Sequence, residues 1–286
     1  MTSSTLQCGT KQLDLSRPSV MGIVNVTPDS FSDGGDLYAN AQLDLSKTLK
    51  VIEKMLNDGA DIIDIGGEST RPGAAKVSTQ QELDRVVPVL EAVVARFDAL
   101  VSVDTSTPQV ISEAAKKGAS LINDVRALTR EGALAAAAMT QLPVCLMHMQ
   151  NQPQTMQNEP TYTDVVAEVL AFLAERKNSC MAAGIDSKKI ILDPGFGFGK
   201  TLAHNLNLFS AIDQFVATGY PVLVGVSRKA MIGQMLGLEH TEQRLMGSVA
   251  LALLAAQRGA AILRVHDVLE TKHAIDVWQT TIQDEG

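Results

Sequence analysis

Short β-branched apolar runs recur along this chain, each followed by a longer stretch whose apolar residues fall at helical spacing. The runs cover residues 20–25, 61–66, 100–104, 121–124, 143–148, 190–193, 221–226 and 262–265. The helical patterns cover about 43–57, 83–97, 107–117, 132–139, 163–183, 206–217, 242–258 and 267–280. A strand that feeds a helix and then another strand pairs in parallel through a right-handed crossover. Eight such units within 286 residues predict a (β/α)8 TIM barrel of the α/β class. An open, doubly wound sheet is the nearest alternative. No Pro/Gly/Ser-rich linker divides the chain, so residues 1–13 read as an N-terminal extension and 14–282 as a single-domain barrel.

Composition excludes some partners. With 45% apolar and 20% charged residues the chain can bury a large core. Its net charge of −8, without basic runs, argues against nucleic acid or an anionic membrane as partner. An anionic substrate would then need a local cluster of cations. Cys8, Cys145 and Cys180 form no C-x-x-C pair and read as inert thiols of a reducing compartment. The first residues lack a basic and an apolar signal segment, and no apolar run approaches the roughly 18–20 residues of a membrane span. The expectation is a soluble cytoplasmic protein.

Polar residues stand at the C-terminal ends of nearly all the strand candidates: Asn25, Asp64 with Glu68, Asp104, Asn123 with Asp124, His148, Asp193, Ser227–Arg228–Lys229, and Arg264 with His266. In a barrel these ends surround one mouth, where barrel enzymes hold their active sites. One Asp after a strand is ordinarily a helix cap; eight convergent positions of mixed sign exceed what capping needs. Two strand–helix connections, 27–39 and 68–79, are long and rich in Gly, Pro and Ser, as functional loops are.

The segment PGFGFGKT (194–201) differs by one residue from a phosphate-binding loop, but Pro194 stands where that loop needs its first glycine. It reads instead as a backbone-exposing turn, in which Gly195, Gly197 and Gly199 leave room for a ligand and Phe196 or Phe198 offers an aromatic face. Asn25, a neutral oxygen donor at a strand end, suits Mg2+ held mostly by water and phosphate oxygens, or else is a hydrogen-bonding spacer. Thr70 and Arg71 beside rigid Pro72 suit an anionic oxygen. Asp64, inside a strand, must be paired if buried. Asp104, Asn123 and Asp193 together suit a flat heterocycle with adjacent N–H donors and an acceptor; paired carboxylates also fit a glycosidase or plain helix caps. Arg228, Lys229, Arg264 and His266 follow the last two strands, a region of barrels that frequently binds phosphate.

The segments MGIVNVTPDSFSDGG and GADIIDIGGESTRPGA resemble the two signature segments of the bacterial dihydropteroate synthase family. SVDTS, INDVRAL, VCLMHMQ, LDPGFGFGKT, LVGVSRKAMIG and RVHDV resemble its remaining segments in order, so that the similarity spans about residues 14–280. The resemblance implies a transferase of folate biosynthesis that joins 6-hydroxymethyl-7,8-dihydropterin diphosphate to 4-aminobenzoate with the help of Mg2+. It implies that Asp104, Asn123, Asp193 and Lys229 contact the pterin, and that Thr70, Arg71, Asn25, Arg264 and His266 serve the diphosphate, Asn25 through Mg2+. Ser227, Phe198, Arg71 and Pro72 would shape the aminobenzoate pocket, with Val265 also among the substrate-binding residues. Asp104, Lys229 and Arg264 would be catalytic. Members of the family are homodimers, and sulfonamides compete for the amine pocket. Two other readings stand beside this one. A pterin-binding methyltransferase-type module would share Asp104, Asn123 and Asp193 but needs neither the STRPG segment nor SRK; a noncatalytic paralogue needs no intact ligand positions.

Overall fold

The computed structural model describes residues 4–27, 37–39, 42–69, 76–151, 156 and 160–283. Eight parallel strands, β1 (Ser19–Asn25), β2 (Ile62–Gly66), β3 (Leu100–Asp104), β4 (Leu121–Asp124), β5 (Val144–Met147), β6 (Ile190–Asp193), β7 (Leu223–Val224) and β8 (Ile262–Val265), hydrogen-bond in the order β6-β5-β4-β3-β2-β1-β8-β7. A parallel bridge between Leu192 and Val222, with the Leu192 N–H donating to the Pro221 carbonyl at 2.9 Å, joins β6 to the approach of β7 and closes the ring. The chain is a (β/α)8 barrel rather than an open sheet. β7 is much shorter than the expected run 221–226: Pro221 has no N–H to donate, and Gly225 has no side chain to pack.

Alternation along each strand sorts the side chains. Met21, Ile62, Leu100, Leu121, Cys145, Ile191, Leu223 and Ile262, one from each strand, form a layer inside the barrel. Their odd neighbours, such as Val20, Ile63, Val101, Ile122, Val144, Ile190, Val224 and Leu263, face outward into the larger core under the helices. Two residues beyond the inner layer the same faces present Ile23, Asp64, Ser102, Asn123, Met147, Asp193, Gly225 and Arg264. The strands thus change from apolar to polar along their inner faces, and the polar end is the C-terminal one.

The lower layer is completed by a hairpin within the segment expected as an N-terminal extension. Thr5–Cys8 pairs antiparallel with Lys11–Asp14, and Leu6, Cys8 and Leu13 join the inner cluster. The alternation Leu6, Cys8 and Leu13 inward fits a half-buried ribbon. The expected boundary at 13/14 therefore cuts through the second strand of this hairpin, which plugs the end of the barrel opposite the polar rim.

Four of the described helices begin where a side chain satisfies their free N–H groups, Leu45–Asn57, Thr79–Arg96, Val165–Ala182 and Leu202–Ser210. Ser78 and Gln81 form a capping box for Thr79–Arg96, and Asp164 accepts from the Val166 and Ala167 N–H groups at the start of Val165–Ala182. The expected helix 206–217 is two, Leu202–Ser210 and Ile212–Val216, because Thr201 and His204 cap an earlier start and the chain breaks at Ala211. A short helix Ala230–Leu236 between β7 and the helix Leu245–Gln257 was not expected.

Candidate active site

A cavity of about 610 Å³ opens at the C-terminal ends of the strands. Its wall includes Asn25, Asp104, Asn123, Asp193, Phe198, Ser227, Lys229, Arg264 and His266, which the sequence placed on one rim. Asn25, Asn123, Asp193, Ser227, Arg264 and His266 keep the inward parity of their strands or lie where it continues. Val265 has the opposite parity. Its side chain is buried in the core beneath the helices and does not face the cavity, which corrects its assignment as a substrate contact. Thr70, Arg71 and Pro72, and positions 28–36 of the first long loop, lie outside the described residues.

Arg264 is the centre of the floor. Its Nε–H donates to Asp64 Oδ2 at 2.6 Å and its Nη2 to Asp104 Oδ2 at 3.0 Å. Asn123 Nδ2 donates to the same Asp64 oxygen at 3.3 Å. Asp64 is fully buried, and the pairing demanded of it comes from a residue 200 positions away. Arg264, expected with the cations that follow the last two strands, thus sits between two carboxylates. It does so because Asp64, on β2, and Arg264, on β8, project inward from the two strands that flank β1.

Lys229 reaches inward beneath the turn after β6. Its ammonium donates to the Phe196 carbonyl and lies 4.6 Å from the centre of the Phe198 ring. Phe198 faces the cavity, whereas Phe196 is wholly buried against Phe209. Ser227 Oγ is 3.1 Å from His266 Nδ1 and accepts the His266 backbone N–H at 3.1 Å. Arg228 was expected in the cationic cluster, but its guanidinium is held by both oxygens of Asp267, at 3.1 and 2.5 Å. Asp124 was expected on the rim; it is fully buried with outward parity. It accepts from Ser106 Oγ and from the Arg126 and Leu128 N–H groups and so pins the turn after β4; it does not cap the next helix, Ala133–Thr140, which starts after Gly132 with no side-chain cap.

The three glycines of the turn are needed for a different reason from the one inferred. Gly195, Gly197 and Gly199 all have φ near +60 to +80°, open to glycine at little strain. A Cβ at Gly195 would lie 1.8 Å from the His148 carbonyl and one at Gly199 2.7 Å from the Gln150 carbonyl, while one at Gly197 would press on the Lys229 stem at 3.2 Å. The close approach is by the protein's own chain, not by a ligand. Lys200, which completes the near-match to a phosphate loop, is turned inward to the His148 ring and to three carbonyls.

Charge is concentrated here. Burial pushes Asp104 up to about 8; Arg264 opposes this and Asp64 adds to it. Burial also raises Asp193, against Lys229 and the Gly195 N–H, and lowers Lys229 to about 8, against Asp193. For Arg264 burial disfavours the charge, but Asp64 and Asp104 outweigh it and hold the guanidinium above the usual arginine range. The floor thus offers acceptors to a ligand that donates N–H groups, and Asp104 brings negative charge to a developing cation as pH rises toward about 8.

Reasoning from the sequence missed a second ion pair on the rim. Glu68 takes both terminal nitrogens of Arg126 at 3.0 and 3.1 Å, and Arg126 also donates to Ser106 Oγ at 2.9 Å. Glu68 was visible after a strand end; Arg126 gave no signal, because its partner is 58 residues away. Met147, inward on β5, and Arg244, which donates to the Arg228 carbonyl at 3.1 Å, also line the cavity.

A metal would meet a sparse donor set. Among the described residues no three His, Cys, Asp or Glu side chains form a metal cluster. Asn25 lines the cavity as a neutral oxygen donor, while Asp104 Oδ2 is already taken by Arg264 at 3.0 Å. A single amide oxygen fits a hard cation that takes most of its oxygens from water and a bound anion.

The model of the family described as "Pterin binding enzyme" matches residues 21–266. The chain is 55% identical over 276 residues to the dihydropteroate synthase of Haemophilus influenzae, covering 96% of this chain and 98% of that one. Among solved structures, the dihydropteroate synthase of Yersinia pestis in complex with a sulfonamide drug is 54% identical with a TM-score of 0.93, covering 98% of this chain and 99% of that one. The Xanthomonas albilineans dihydropteroate synthase with 4-aminobenzoic acid is 50% identical with a TM-score of 0.90, covering 98% of each chain.

Proposed function

The chain belongs to the pterin binding enzyme family, among its dihydropteroate synthases, and from that membership we propose how its own residues carry the reaction. The enzyme is a transferase that condenses 6-hydroxymethyl-7,8-dihydropterin diphosphate with 4-aminobenzoate, giving 7,8-dihydropteroate and diphosphate. One observation carries the mechanism: Asp104, Asn123, Asp193 and Arg264, from four separate strands, and Lys229, from the start of the helix Ala230–Leu236, converge on one cavity. The pterin lies over the floor with its N–H donors toward Asp193 and Asn123 and its acceptor toward Lys229. The methylene carbon becomes cation-like as its C–O bond breaks, and the Asp104 carboxylate stabilises it. His266, and Arg71 and Thr70 from the long loop, take the diphosphate. Arg264 supports both ends, fixing Asp104 while adding positive charge near the leaving group. The aromatic amine, already a competent nucleophile, attacks from the side of Phe198 and Ser227, so no strong base is required. Mg2+, when bound beside Asn25 and the diphosphate oxygens, supplies Lewis-acid stabilisation of the leaving group.

The test is pyrophosphate release by the purified chain with the pterin diphosphate, Mg2+ and 4-aminobenzoate. Release that requires the amine is expected; none, or release indifferent to the amine, refutes the assignment. Because Asn25 alone is a thin protein ligand set, Mg2+ is expected to bind weakly to the protein without substrate. Calorimetry giving tight binding to the substrate-free protein contradicts that.

The pH profile should be a bell near pH 8. Asp104 gains its charge as pH rises through about 8, so kcat/KM climbs on the acid side. Lys229 loses its proton through about 8, so kcat/KM falls on the alkaline side. In Asp104→Asn the acid limb should flatten while the alkaline limb remains; an unchanged profile rejects the assignment.

We place the enzyme in the cytoplasm as a homodimer. The three cysteines are unpaired and buried, as suits a reducing compartment, and no helix among the described residues is long and apolar enough to cross a membrane. The adjoining helices Leu245–Gln257 and Val268–Gln283 expose Met246 (73%), Leu254, Val277 (66%) and Ile282. An apolar surface of this kind favours a second copy as its cover, and sedimentation measurements decide between monomer and dimer.

A further inference from the structure

We propose that Lys200 is a positioning residue for the amine side of the pocket: it locks the glycine turn 195–199 against the end of β5, so that Phe198 and the Phe196 carbonyl meet Lys229. The inference rests on the reading above for what Phe198 and Lys229 do. Lys200 is 3% exposed and lies at the wall of the cavity. Its ammonium lies 2.9 Å from His148 Nδ1, 2.9 Å from the Gly195 carbonyl and 3.0 Å from the Phe198 carbonyl, with the His148 carbonyl at 3.3 Å. An ammonium has three donors, and these acceptors engage all of them. Two of the carbonyls belong to the turn, while the His148 ring and carbonyl belong to the segment after β5, so the side chain is a cross-link between two rim segments. Burial first, and the Lys200 charge second, push His148 down to about 3. The ring therefore stays neutral and offers Nδ1 as an acceptor to the ammonium.

The glycines of the turn allow wide backbone freedom, and its ties include the Gly195 N–H to Asp193 Oδ1 at 2.7 Å, the Gly197 N–H to Asn205 Oδ1 at 2.7 Å, Tyr162 Oη–H to the Gly199 carbonyl at 2.9 Å, the Phe198 N–H to the Gly195 carbonyl at 3.2 Å, the Lys229 ammonium to the Phe196 carbonyl and the buried Phe196 ring. Of these, Lys200 alone binds the carbonyl of Phe198, whose ring faces the cavity and the Lys229 ammonium. A displacement of the turn would therefore move the ring that shapes the amine pocket and the carbonyl that holds Lys229. Such a role differs from that of a phosphate-loop lysine, whose ammonium must reach the ligand.

Lys200→Met keeps most of the volume of the stem and removes every donor. In protein labelled with 4-fluorophenylalanine, the 19F resonance of Phe198, assigned with Phe198→Leu, is expected to shift or broaden in Lys200→Met without substrate present. In the same variant KM for 4-aminobenzoate should rise roughly tenfold or more, with kcat and the affinity for an unreactive pterin within about threefold of the parent. An unmoved Phe198 signal overturns the proposal. So does a moved signal with unchanged KM, or an equal loss of kcat, KM and pterin affinity, which would mean general damage. Should Lys200→Met fail to fold, Lys200→Arg is read by the same measures, since it keeps the charge but its flat, longer head cannot meet both turn carbonyls. The fluorine signal needs no turnover, so it stands or falls separately from the reaction assigned above.

Discussion

Arg264→Ala is expected to lower kcat/KM by more than about tenfold and to destabilise the fold by about 3–5 kcal/mol, the usual consequence of removing one partner from a buried ion pair. The guanidinium holds Asp64 at 2.6 Å and Asp104 at 3.0 Å, and Asp64 has no exposure to water. Without Arg264 two neighbouring carboxylates share a buried site with no counterion. Asp104, raised by burial in the parent and opposed there by Arg264, would then hold its proton to higher pH. A carboxylate raised in the folded state contributes stability at low pH that is lost as pH rises through its folded value. The variant should accordingly be nearer the parent at pH 5 than at pH 8 in urea unfolding. Asp64→Asn combined with Arg264→Ala should recover part of the stability without the activity, separating the structural from the chemical role. Unchanged kcat/KM in the single variant would reject the chemical role, and an equal loss of stability at both pH values would reject the electrostatic account.

The Arg264 pairing also shows where sequence reasoning stops. That Asp64 is buried and needs a partner followed from its place inside a strand. That the partner is Arg264 did not, because strands β2 and β8 are neighbours of β1 only once the barrel has closed. The rim itself was legible: a strand's period of two and the position of each polar residue at its end place Asn25, Asp104, Asn123, Asp193 and Arg264 on one mouth. The same period should have excluded Val265, which neighbours Arg264 and must point the other way.

Other parts left weaker traces. The hairpin Thr5–Asp14 is too short for a strong periodic signal, and what stabilises it is the barrel floor on which Leu6 and Leu13 rest. The glycines of the turn were recognised as positions without room for a side chain, yet sequence cannot say whether a ligand or the chain itself fills that room. His148 and Gln150 fill it at Gly195 and Gly199. Likewise spacing alone puts Lys200 in a near-match to a phosphate loop that Pro194 argues against, without saying where its ammonium goes; its inward path follows from the His148 ring and the carbonyls around it, which lie on two different segments.

Asp193→Ala is expected to abolish pterin binding. Asp193 ends β6, is 6% exposed and projects into the cavity beside Lys229. A buried acceptor that matches adjacent N–H donors is worth far more than its hydrogen bonds in water, because its loss leaves those donors unpaired; sites of this kind discriminate by roughly 10⁴–10⁵-fold. Alanine has a second effect, since Asp193 Oδ1 also accepts the Gly195 N–H at 2.7 Å and so starts the glycine turn. Asp193→Asn separates the two. Its amide oxygen still accepts from Gly195, but its NH2 would face the donors of the heterocycle, so pterin binding should be lost while the melting temperature stays near that of the parent. The asparagine variant also removes a negative neighbour that favours the charged form of Lys229. The proton of that lysine should then leave at lower pH, and any residual activity should have its alkaline limb moved downward. Calorimetry with an unreactive pterin is the direct measurement. Parent-like affinity in Asp193→Asn would mean that the ring is not read at this carboxylate.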